Sequence, residues 1–379
     1  MGFDVQVLAV LNNGDFVDDS LQRLPFYKDV ESKKVLKKLT AAHRALAELK
    51  GVVKSIPSEA ILLRTLSLQE AKDSSAIENI ITTHDELYCE DIYPERMQKL
   101  AAKEVRRYSS ALLLGFNLIK SEGMLRNKTI CAIQAELEQN SAGFRKVPGT
   151  VLKNNVGQIV YTPPQDPHEI ITLMDNLEQY INNKDLDDLD PLVKMALIHY
   201  QFESIHPFYD GNGRTGRIIN VLYLVLSGLL DLPILYASRY IVQSKAKYYY
   251  LLQALRAEGC YEEWILYILS GIEQTAIQTM KMVEAIVALM QKYSEMLKER
   301  YTFYNKDLLD SLFTHPYTKV EFIQNSMGVS RVTAMRYLKA MVEDGILEVH
   351  KLGKAHYFVN IELYKLLMEL PPFTEFKDK

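Results

Sequence analysis

Apolar and polar residues alternate along most of this 379-residue chain with the three-to-four-residue spacing of amphipathic helices. The pattern predicts helices over residues 35–49, 58–80, 95–119, 128–139, 169–181, 191–203, 213–226, 244–257 and 261–298. The last of these segments is either one long helix or a close pair. The chain is therefore expected to be mainly α-helical.

Residues 150–161 break the helical pattern. Two short β-type runs, 151–152 and 159–161, flank the turn-rich residues 153–157, which is a hairpin signature. A lone hairpin is only marginally stable by itself, and its unpaired edge can accept another chain as an added strand. The pattern leaves two interpretations open, a docking flap for a partner and a structural flap without one.

The pattern changes again near residue 304. Short helices are predicted over residues 307–313, 319–327 and 331–344, followed by alternating strands at 346–350 and 355–359. This is the order of a winged helix-turn-helix unit.

Side chains suited to DNA lie on its third helix and its wing: Arg331, Thr333, Arg336, Tyr337, Lys339, His350, Lys351, Lys354 and His356. Residues 301–379 nevertheless hold about as many acidic as basic residues, whereas DNA binding normally needs a positive surplus. DNA is therefore a less favoured partner than a docked or packed protein surface.

The composition excludes some classes of protein but does not identify a function. The chain is 48% hydrophobic with a net charge of -4, so it has no global basic field for nucleic acid or an anionic membrane. The longest nearly apolar run, residues 218–230, is too short to span a bilayer, and residues 1–10 lack the pattern of a signal peptide. Cys89, Cys131 and Cys260 are few and widely spaced, which fits a reducing cytoplasm.

Residues 206–217 read His-Pro-Phe-Tyr-Asp-Gly-Asn-Gly-Arg-Thr-Gly-Arg and lie between two predicted helices. Gly211 and Gly213 permit positive φ and close backbone approach. Successive N–H groups there, at the start of a helix, can bind an anion. Arg214 and Arg217 project to one side of the first turn, where guanidinium groups grip phosphate oxygens.

Two further side chains complete this predicted phosphate site. Asp210 offers the hard oxygen ligand that Mg²⁺ prefers. His206 titrates near neutrality and can take a proton from an attacking hydroxyl. Residues 211–216 also fit the dinucleotide fingerprint G-x-G-x-x-G, but that motif requires a preceding strand, and a helix is predicted there. The alternative interpretation is a purely structural glycine turn next to a histidine of the core, and it accounts for fewer of the residue types found here.

The segment resembles the signature of the Fic family, H-x-F-x-[D/E]-G-N-G-R-x-x-R, at every fixed position. The resemblance implies a mainly α, Fic-fold helical bundle with a β-hairpin flap at residues 150–161, plus a C-terminal winged helix-turn-helix domain. It also implies a protein adenylyltransferase that moves AMP from ATP to a Tyr, Thr or Ser hydroxyl of a target protein and of itself. His206 would be the catalytic base, Asp210 would bind Mg²⁺, and the target would dock on the flap.

The resemblance also implies the nucleotide contacts, which are Gly211, Asn212, Gly213, Arg214, Thr215, Gly216, Arg217, Tyr248 and Tyr249. Within this set, Arg214 would reach the β-phosphate and Arg217 the γ-phosphate. Tyr248 and Tyr249 resemble the aromatic pair of the adenine pocket, although packing in a helical core explains the two rings equally well.

A second segment, residues 74–79, resembles the family's inhibitory helix, [S/T]-x-x-x-E-[G/N]. Ser74 and Glu78 are four residues apart and share a helix face, and Asn79 completes the motif. Glu78 is predicted to pair with Arg217, which would take that guanidinium from the γ-phosphate and leave ATP in a non-productive pose.

The predicted organisation has three parts. Residues 1–94 form an N-terminal helical region with the inhibitory helix at about 67–80, residues 95–298 the Fic catalytic domain, and residues 299–379 the winged-helix domain. Alternatives remain at the level of function. They are a winged-helix DNA-binding regulator that only senses nucleotide, a related enzyme with another nucleotide donor, and removal of AMP. A homodimer is also kept open.

Overall fold

The computed structural model describes residues 21–26, 30–92, 99–154, 156–235, 237–352, 355–369 and Phe373. The helices are α1 (Lys33–Val53), α2 (Glu59–Ile77), α3 (His84–Ile92), α4 (Leu100–Glu122), α5 (Asn127–Glu138), α6 (Pro167–Asn182), α7 (Pro191–Ile205), α8 (Asn212–Leu226), α9 (Ala237–Gln243), α10 (Lys245–Glu258), α11 (Tyr261–Arg300), α12 (Lys306–Thr314), α13 (Val320–Met327), α14 (Arg331–Glu343) and α15 (Ile361–Met368). The strands are β1 (Leu152–Lys153), β2 (Ile159–Tyr161), β3 (Tyr317–Thr318), β4 (Leu347–Leu352) and β5 (Ala355–Asn360). The predicted mainly α fold is confirmed.

The centre of the bundle is the pair α7 and α8. Every residue of α7 from 192 to 205 is buried, because other helices surround it on all sides. The helix begins where the Asp190 side chain accepts the N–H of Leu192 and Pro191 takes the first position, both standard start signals. The predicted phosphate turn is the connection from α7 to α8, so it follows directly after a fully buried helix.

A long helix joins the rest of the chain to this centre. Residues 261–300 form the single helix α11, one of the two alternatives left open by the sequence. Helix α1 packs along α11, while the far end of α11 contacts α12 and α15. Helix α2 packs against α4, α9 and α12. The buried apolar side chains form a cluster that extends from Leu24 to Phe373.

Four short elements were not predicted, namely α3, β3, α9 and α15. The predicted helix at 95–119 begins at Leu100 in the structure, and residues 95–98 lie outside the described residues. The predicted boundary at residue 94 also falls outside them, and the boundary at 298 falls two residues before the end of α11.

The predicted hairpin is present as β1 and β2, which pair antiparallel with a bulge at Leu152 and Lys153. The Asn154 side chain shapes its turn, since its Oδ1 accepts the N–H groups of Val156 at 3.1 Å and Gln158 at 2.9 Å. Asn155 lies outside the described residues. The side chains of Val156 and Ile159 remain exposed, so the hairpin presents an apolar surface to solvent.

The C-terminal unit, defined here as residues 306–368, follows the predicted order of three helices and a wing. Strands β3, β5 and β4 form one antiparallel sheet in that spatial order, and the wing tip at residues 353–354 lies outside the described part. Several of its candidate DNA-facing side chains have protein partners. Arg331 pairs with Glu321, His350 pairs with Glu348, and Tyr337 stacks on Phe303.

In the described ranges, no helix is both long enough and apolar enough to cross a bilayer.

Candidate active site

The turn between α7 and α8 is fixed by the side chain of Asn212. Its Oδ1 accepts the N–H of Phe208 at 2.8 Å, and its Nδ2 donates to the Phe208 carbonyl at 2.8 Å. Gly211 has φ 77°, a left-handed conformation that glycine adopts without strain. The turn therefore holds its shape internally, and Asn212 faces the predicted site through its backbone rather than its amide.

The first turn of α8 supplies the predicted anion site. The first N–H that bonds back into the turn is that of Thr215, which donates to the Gly211 carbonyl at 2.9 Å. The N–H groups of Asn212, Gly213 and Arg214 precede it and have no partner within the helix. These groups and the positive end of the helix dipole attract an anion.

The carboxylate of Glu78 lies over this first turn. A methyl group added at Gly213 would collide with Oε1 of Glu78, so the glycine is needed for the carboxylate to reach the backbone. The same Oε1 accepts a hydrogen bond from Nη2 of Arg217 at 2.9 Å. Glu78 thus occupies the position where the sequence predicts a phosphate.

Arg217 is buried and binds the end of α2 at three points. Its Nε donates to Ser74 Oγ at 2.8 Å, and its Nη2 donates to the Ser74 carbonyl at 3.0 Å as well as to Glu78. Burial would lower the pKa of Arg217, but Glu78 and the neighbouring groups Tyr248, Tyr108 and Glu203 together outweigh burial, so the pKa is raised. Burial would raise the pKa of Glu78, but Arg217 outweighs that and the pKa is lowered. The two groups therefore stay ionised as a pair.

The end of α2 explains why Asn follows Glu78. Asn79 has φ 63°, and the N–H of Ile80 donates to the Ser75 carbonyl at 3.0 Å, while the Asn79 N–H donates to Ala76 at 3.1 Å. This is a Schellman ending, which requires a left-handed residue after the cap, and Gly or Asn tolerates that conformation best. Asn79 Oδ1 also accepts from Lys245 at 2.9 Å. The ending turns the chain away just after Glu78 enters the site.

The second motif arginine has its own acidic partners, which the sequence analysis missed. Arg214 is buried, and its Nη2 lies 2.8 Å from Oε1 of Glu138 and its Nη1 lies 3.4 Å from Oε2 of Glu104. A methyl group at Gly211 would collide with Glu138 Oε1, so this second carboxylate lies on the other glycine of the turn. Burial raises the pKa of Glu138 in spite of Arg214. Neither glutamate belongs to a motif, and Glu138 and Glu104 lie 76 and 110 residues before Arg214 in the sequence.

His206 ends α7 in a left-handed conformation with φ 49°. Its ring is mostly enclosed, and its Nδ1 is buried without a hydrogen-bond partner among the described residues. Burial lowers the pKa of His206 to about 4, and the positive charges of Arg256 and Arg145 act in the same direction. The imidazole is therefore neutral at pH 7 and able to accept a proton.

The remaining motif residues divide between the site and the core. Asp210 is exposed, and its Oδ1 accepts the N–H of Gly211 at 2.7 Å. Thr215 is fully buried. Gly216 faces α7, where a methyl group would lie 2.7 Å from Glu203 Oε1. Thr215 and Gly216 thus pack the two central helices together, and their nucleotide contacts stay a prediction.

The two predicted adenine-pocket tyrosines lie in different surroundings. Tyr248 is buried, its hydroxyl lies 2.9 Å from Nε2 of His199, and its ring packs against Trp264. Tyr249 meets the Tyr248 ring edge-on and is 42% exposed. Of the pair, only Tyr249 leaves a side chain accessible to a ligand.

The arrangement joins a neutral imidazole, a helix N-terminus, two arginines and an exposed carboxylate around one glycine turn. Such a set can bind a polyphosphate, bring a hydroxyl to it and remove the hydroxyl proton. In the described state both arginines are held by carboxylates, Arg217 by Glu78 and Arg214 by Glu138. An anion such as a phosphate chain would have to displace both carboxylates to reach these guanidinium groups.

Comparison with known families agrees with this geometry. Residues 36–117 match the Fic/DOC family N-terminal domain, residues 124–224 match the Fic/DOC family, and residues 289–363 match the C-terminal domain of protein adenylyltransferase SoFic-like proteins. The first segment contains Glu78 and the second contains the whole glycine turn. The fold and the site thus define a protein of the Fic type. The chain belongs to the Fic/DOC family.

Curated relatives match over a shorter stretch. The chain is 33% identical over 112 residues to protein adenylyltransferase Fic of Drosophila erecta, which is 30% of this chain and 21% of that protein. It is 32% identical over 127 residues to the protein of the same name in Drosophila virilis, which is 34% of this chain and 24% of that protein. The match therefore spans about a quarter or less of these relatives.

A solved structure extends the likeness to most of the chain. A Fic family protein from Desulfovibrio desulfuricans G20 superposes with a TM-score of 0.57 over 89% of this chain and 98% of that chain. The sequence identity is 19%, so this likeness shows that the fold is shared.

Proposed function

We propose that this protein is an adenylyltransferase that moves AMP from ATP to a Tyr, Thr or Ser hydroxyl of a target protein and of itself. One observation carries the proposal: Arg217 and the first turn of α8 form an anion site next to the neutral imidazole of His206. The names of the Drosophila relatives supply independent support.

In the proposed reaction, the N–H groups of the α8 first turn, Arg214 and Arg217 hold the phosphates. The target oxygen attacks the α-phosphorus, and its proton passes to His206. A new oxygen–phosphorus bond forms as the bond to the bridging oxygen of the β-phosphate breaks, so pyrophosphate leaves with that electron pair. Arg214 and Arg217 neutralise the charge that develops on the leaving group.

Asp210 would hold Mg²⁺ beside the phosphates. The residues fit the ion, because Asp210 presents an exposed carboxylate next to the anion site and its Oδ1 is oriented by the N–H of Gly211. A bound Mg²⁺ would neutralise phosphate charge.

Glu78 would make the enzyme autoinhibited. Its carboxylate already occupies Arg217 and lies over Gly213, which supports competition with a phosphate for both groups. ATP would enter a productive pose only after the end of α2 moves away.

The target would dock on the hairpin, which has an accessible edge in β1 and β2 and exposed apolar side chains at Val156 and Ile159. We propose that the C-terminal unit is a winged-helix unit that serves docking or packing. The pairing of Arg331 with Glu321 and of His350 with Glu348 disfavours DNA. The low cysteine content of the sequence favours a cytoplasmic location.

The test is transfer of label from α-labelled ATP with Mg²⁺, followed by intact mass of the protein itself. Glu78→Gly should label itself and other proteins more strongly than the parent chain, with a mass increase of one AMP. His206→Ala in the same background should abolish labelling. An unlabelled Glu78→Gly protein would remove the adenylyltransferase proposal. Competition with UTP and GTP identifies the donor.

A further inference from the structure

The end of α7, which carries His206, is capped by side chains from outside the helix. The last carbonyls of any helix lack partners within it. Here the five consecutive carbonyls of residues 203–207 each accept a hydrogen bond from outside the helix. Arg256 Nη2 donates to Glu203 at 3.1 Å, and the Tyr161 hydroxyl donates to Ser204 at 2.9 Å. Arg145 bonds the other three, through Nη2 to Ile205 at 3.3 Å, through Nε to His206 at 2.9 Å and through its backbone N–H to Pro207 at 2.8 Å. The backbone of the catalytic turn is therefore held from the side of the hairpin.

The same three residues also anchor the hairpin. Arg145 Nη2 donates to the carbonyl of Pro164, which follows β2. Tyr161 is the last residue of β2, and the guanidinium of Arg256 lies 3.9 Å above its ring. Arg256 Nε also donates to Ser204 Oγ at 3.2 Å. The Arg145 side chain is 1% exposed, so its hydrogen bonds are largely shielded from water and correspondingly strengthened.

We propose that Arg145 and Arg256 are positioning residues that hold the hairpin and the His206 turn as one unit. A target strand seated on the hairpin edge would then present its hydroxyl to the imidazole at a fixed distance. The proposal rests on the proposed transfer reaction and identifies the residues that would position its second substrate, the target protein. Misplacement by about 1 Å can cost roughly 100-fold in rate, so such a device matters for catalysis.

The two arginines also affect the base electrostatically. After burial, Arg256 from α10 and Arg145 from the loop before β1 are the charges that most lower the pKa of His206, while Glu78 at the end of α2 opposes them. Removing either guanidinium charge should therefore raise the His206 pKa, whereas a purely structural role would not predict this effect.

The test uses Arg145→Gln and Arg256→Gln in the Glu78→Gly protein, with Arg126→Gln as the matched control. Arg126 is half-exposed, and its Nε lies 4.0 Å from Glu122 Oε2 and donates to Met124 Sδ at 2.7 Å, contacts that involve neither the hairpin nor the His206 turn. The His206 pKa is followed by NMR of labelled histidine and assigned by His206→Ala. We expect a higher pKa in both test variants, a fall in kcat of roughly 10- to 100-fold, and an ATP Kd close to that of the control.

Arg145→Lys and Arg256→Lys separate charge from geometry. Lysine keeps the charge but cannot bond several carbonyls as a planar guanidinium does. The His206 pKa should return towards the parent value while the transfer rate stays low. Tyr161→Phe removes the hydroxyl that donates to the Ser204 carbonyl and keeps the ring below Arg256, so it tests the same device with a smaller change. Parent-like rates in all these variants would overturn the proposal.

Hydrogen exchange separates this inference from the proposed function. If the Glu78→Gly parent transfers nothing, the adenylyltransferase proposal fails, but exchange in residues 150–161 still tests the anchoring. We expect faster exchange there in Arg145→Gln and Arg256→Gln and parent-like exchange in Arg126→Gln. Unchanged hairpin exchange together with an unchanged His206 pKa would refute the positioning role whatever the reaction.

Discussion

At the residue scale, the proposed inhibition involves two carboxylates rather than one. Glu78 binds Arg217 and lies on Gly213, and Glu138 binds Arg214 and lies on Gly211. Their protonation equilibria differ in direction, because the pKa of Glu78 is lowered whereas burial raises the pKa of Glu138. Glu138 is thus the less well compensated of the two, and it lies where Arg214 would meet a β-phosphate.

Replacing Glu138 by Gln should strengthen ATP binding once Glu78 is gone. The amide removes one negative charge from the phosphate site but keeps a similar shape, so the ATP Kd of Glu78→Gly/Glu138→Gln should fall several-fold below that of Glu78→Gly. Isothermal titration with ATP and Mg²⁺ measures this, and Glu136→Gln on the same helix is the control. Weaker binding would instead show that Glu138 orients Arg214 for the nucleotide.

Asn79 should be replaceable by Gly but not by Ala. A left-handed backbone costs alanine roughly 1–2 kcal/mol, whereas glycine adopts it freely. Asn79→Ala should therefore lower the unfolding free energy by about 1 kcal/mol and raise basal labelling, because the end of α2 holds Glu78 less firmly. Asn79→Gly should stay close to the parent in both urea unfolding and labelling. Equal behaviour of the two variants would argue against the Schellman ending.

At the element scale, the long helices and the hairpin were predictable because each carries its signal locally. The spacing of apolar residues indicated α1, α7 and α11, and the glycine turn identified the start of α8. Helix α9 has only seven residues, and α15 follows β5 directly at Asn360, so neither offers a pattern long enough to read. Such short elements are decided by their tertiary contacts.

The residues of the site likewise divide into those with a local sequence signal and those without one. His206, Arg217 and Glu78 were found because each lies in a contiguous motif, and the contact between Glu78 and Arg217 follows from the family resemblance. Arg145 and Glu138 could not be found, because their partners lie 61 and 76 residues away and the contacts exist only after folding. Tyr248 and Tyr249 are adjacent in sequence, yet helical geometry sends one ring into the core.

The close packing of α7 on α8 predicts a pH effect at Glu203. Its carboxylate is buried against Gly216, and Oε1 has no hydrogen-bond partner within the described ranges. Burial raises its pKa to about 7 from an ordinary value of 4.5. The folded protein therefore holds this proton more tightly than the unfolded chain, and the resulting stability, full below pH 4.5, is lost as the pH rises to about 7.

Glu203→Gln should remove this dependence. Between pH 4.5 and 7 the unfolding free energy of the parent should fall relative to the variant by roughly 3 kcal/mol. Urea unfolding at several pH values gives the slope of the unfolding free energy against pH for each protein. The difference between the two slopes is unaffected if the glutamine changes stability by the same amount at every pH. Glu284→Gln, at an exposed position of α11, is the control. Parallel pH profiles for the parent and Glu203→Gln would contradict the predicted pKa shift.

At the scale of the whole molecule, the C-terminal unit packs directly on the elements that carry Glu78. Gln69 in α2 donates from Nε2 to the Leu367 carbonyl at 3.2 Å. The hydroxyl groups of Tyr317 and Tyr364 both donate to Oδ1 of Asp85 in α3, the helix that follows α2. The C-terminal unit therefore contacts α2 and α3 directly, and we expect its movement to disturb the end of α2.

Loosening this contact should weaken inhibition. Leu367 is 1% exposed, and truncation of a buried leucine to alanine typically costs about 2–5 kcal/mol. Leu367→Ala should lower the unfolding free energy by that amount, speed hydrogen exchange in residues 59–77, and raise labelling although Glu78 is intact. Val332→Ala, at an 81% exposed position of the same unit, should change none of these.

If the C-terminal unit of Leu367→Ala melted in a separate transition while exchange in α2 stayed at the parent rate, the two parts would be independent. Inhibition would then depend on the contacts of Glu78 and Ser74 with Arg217 alone.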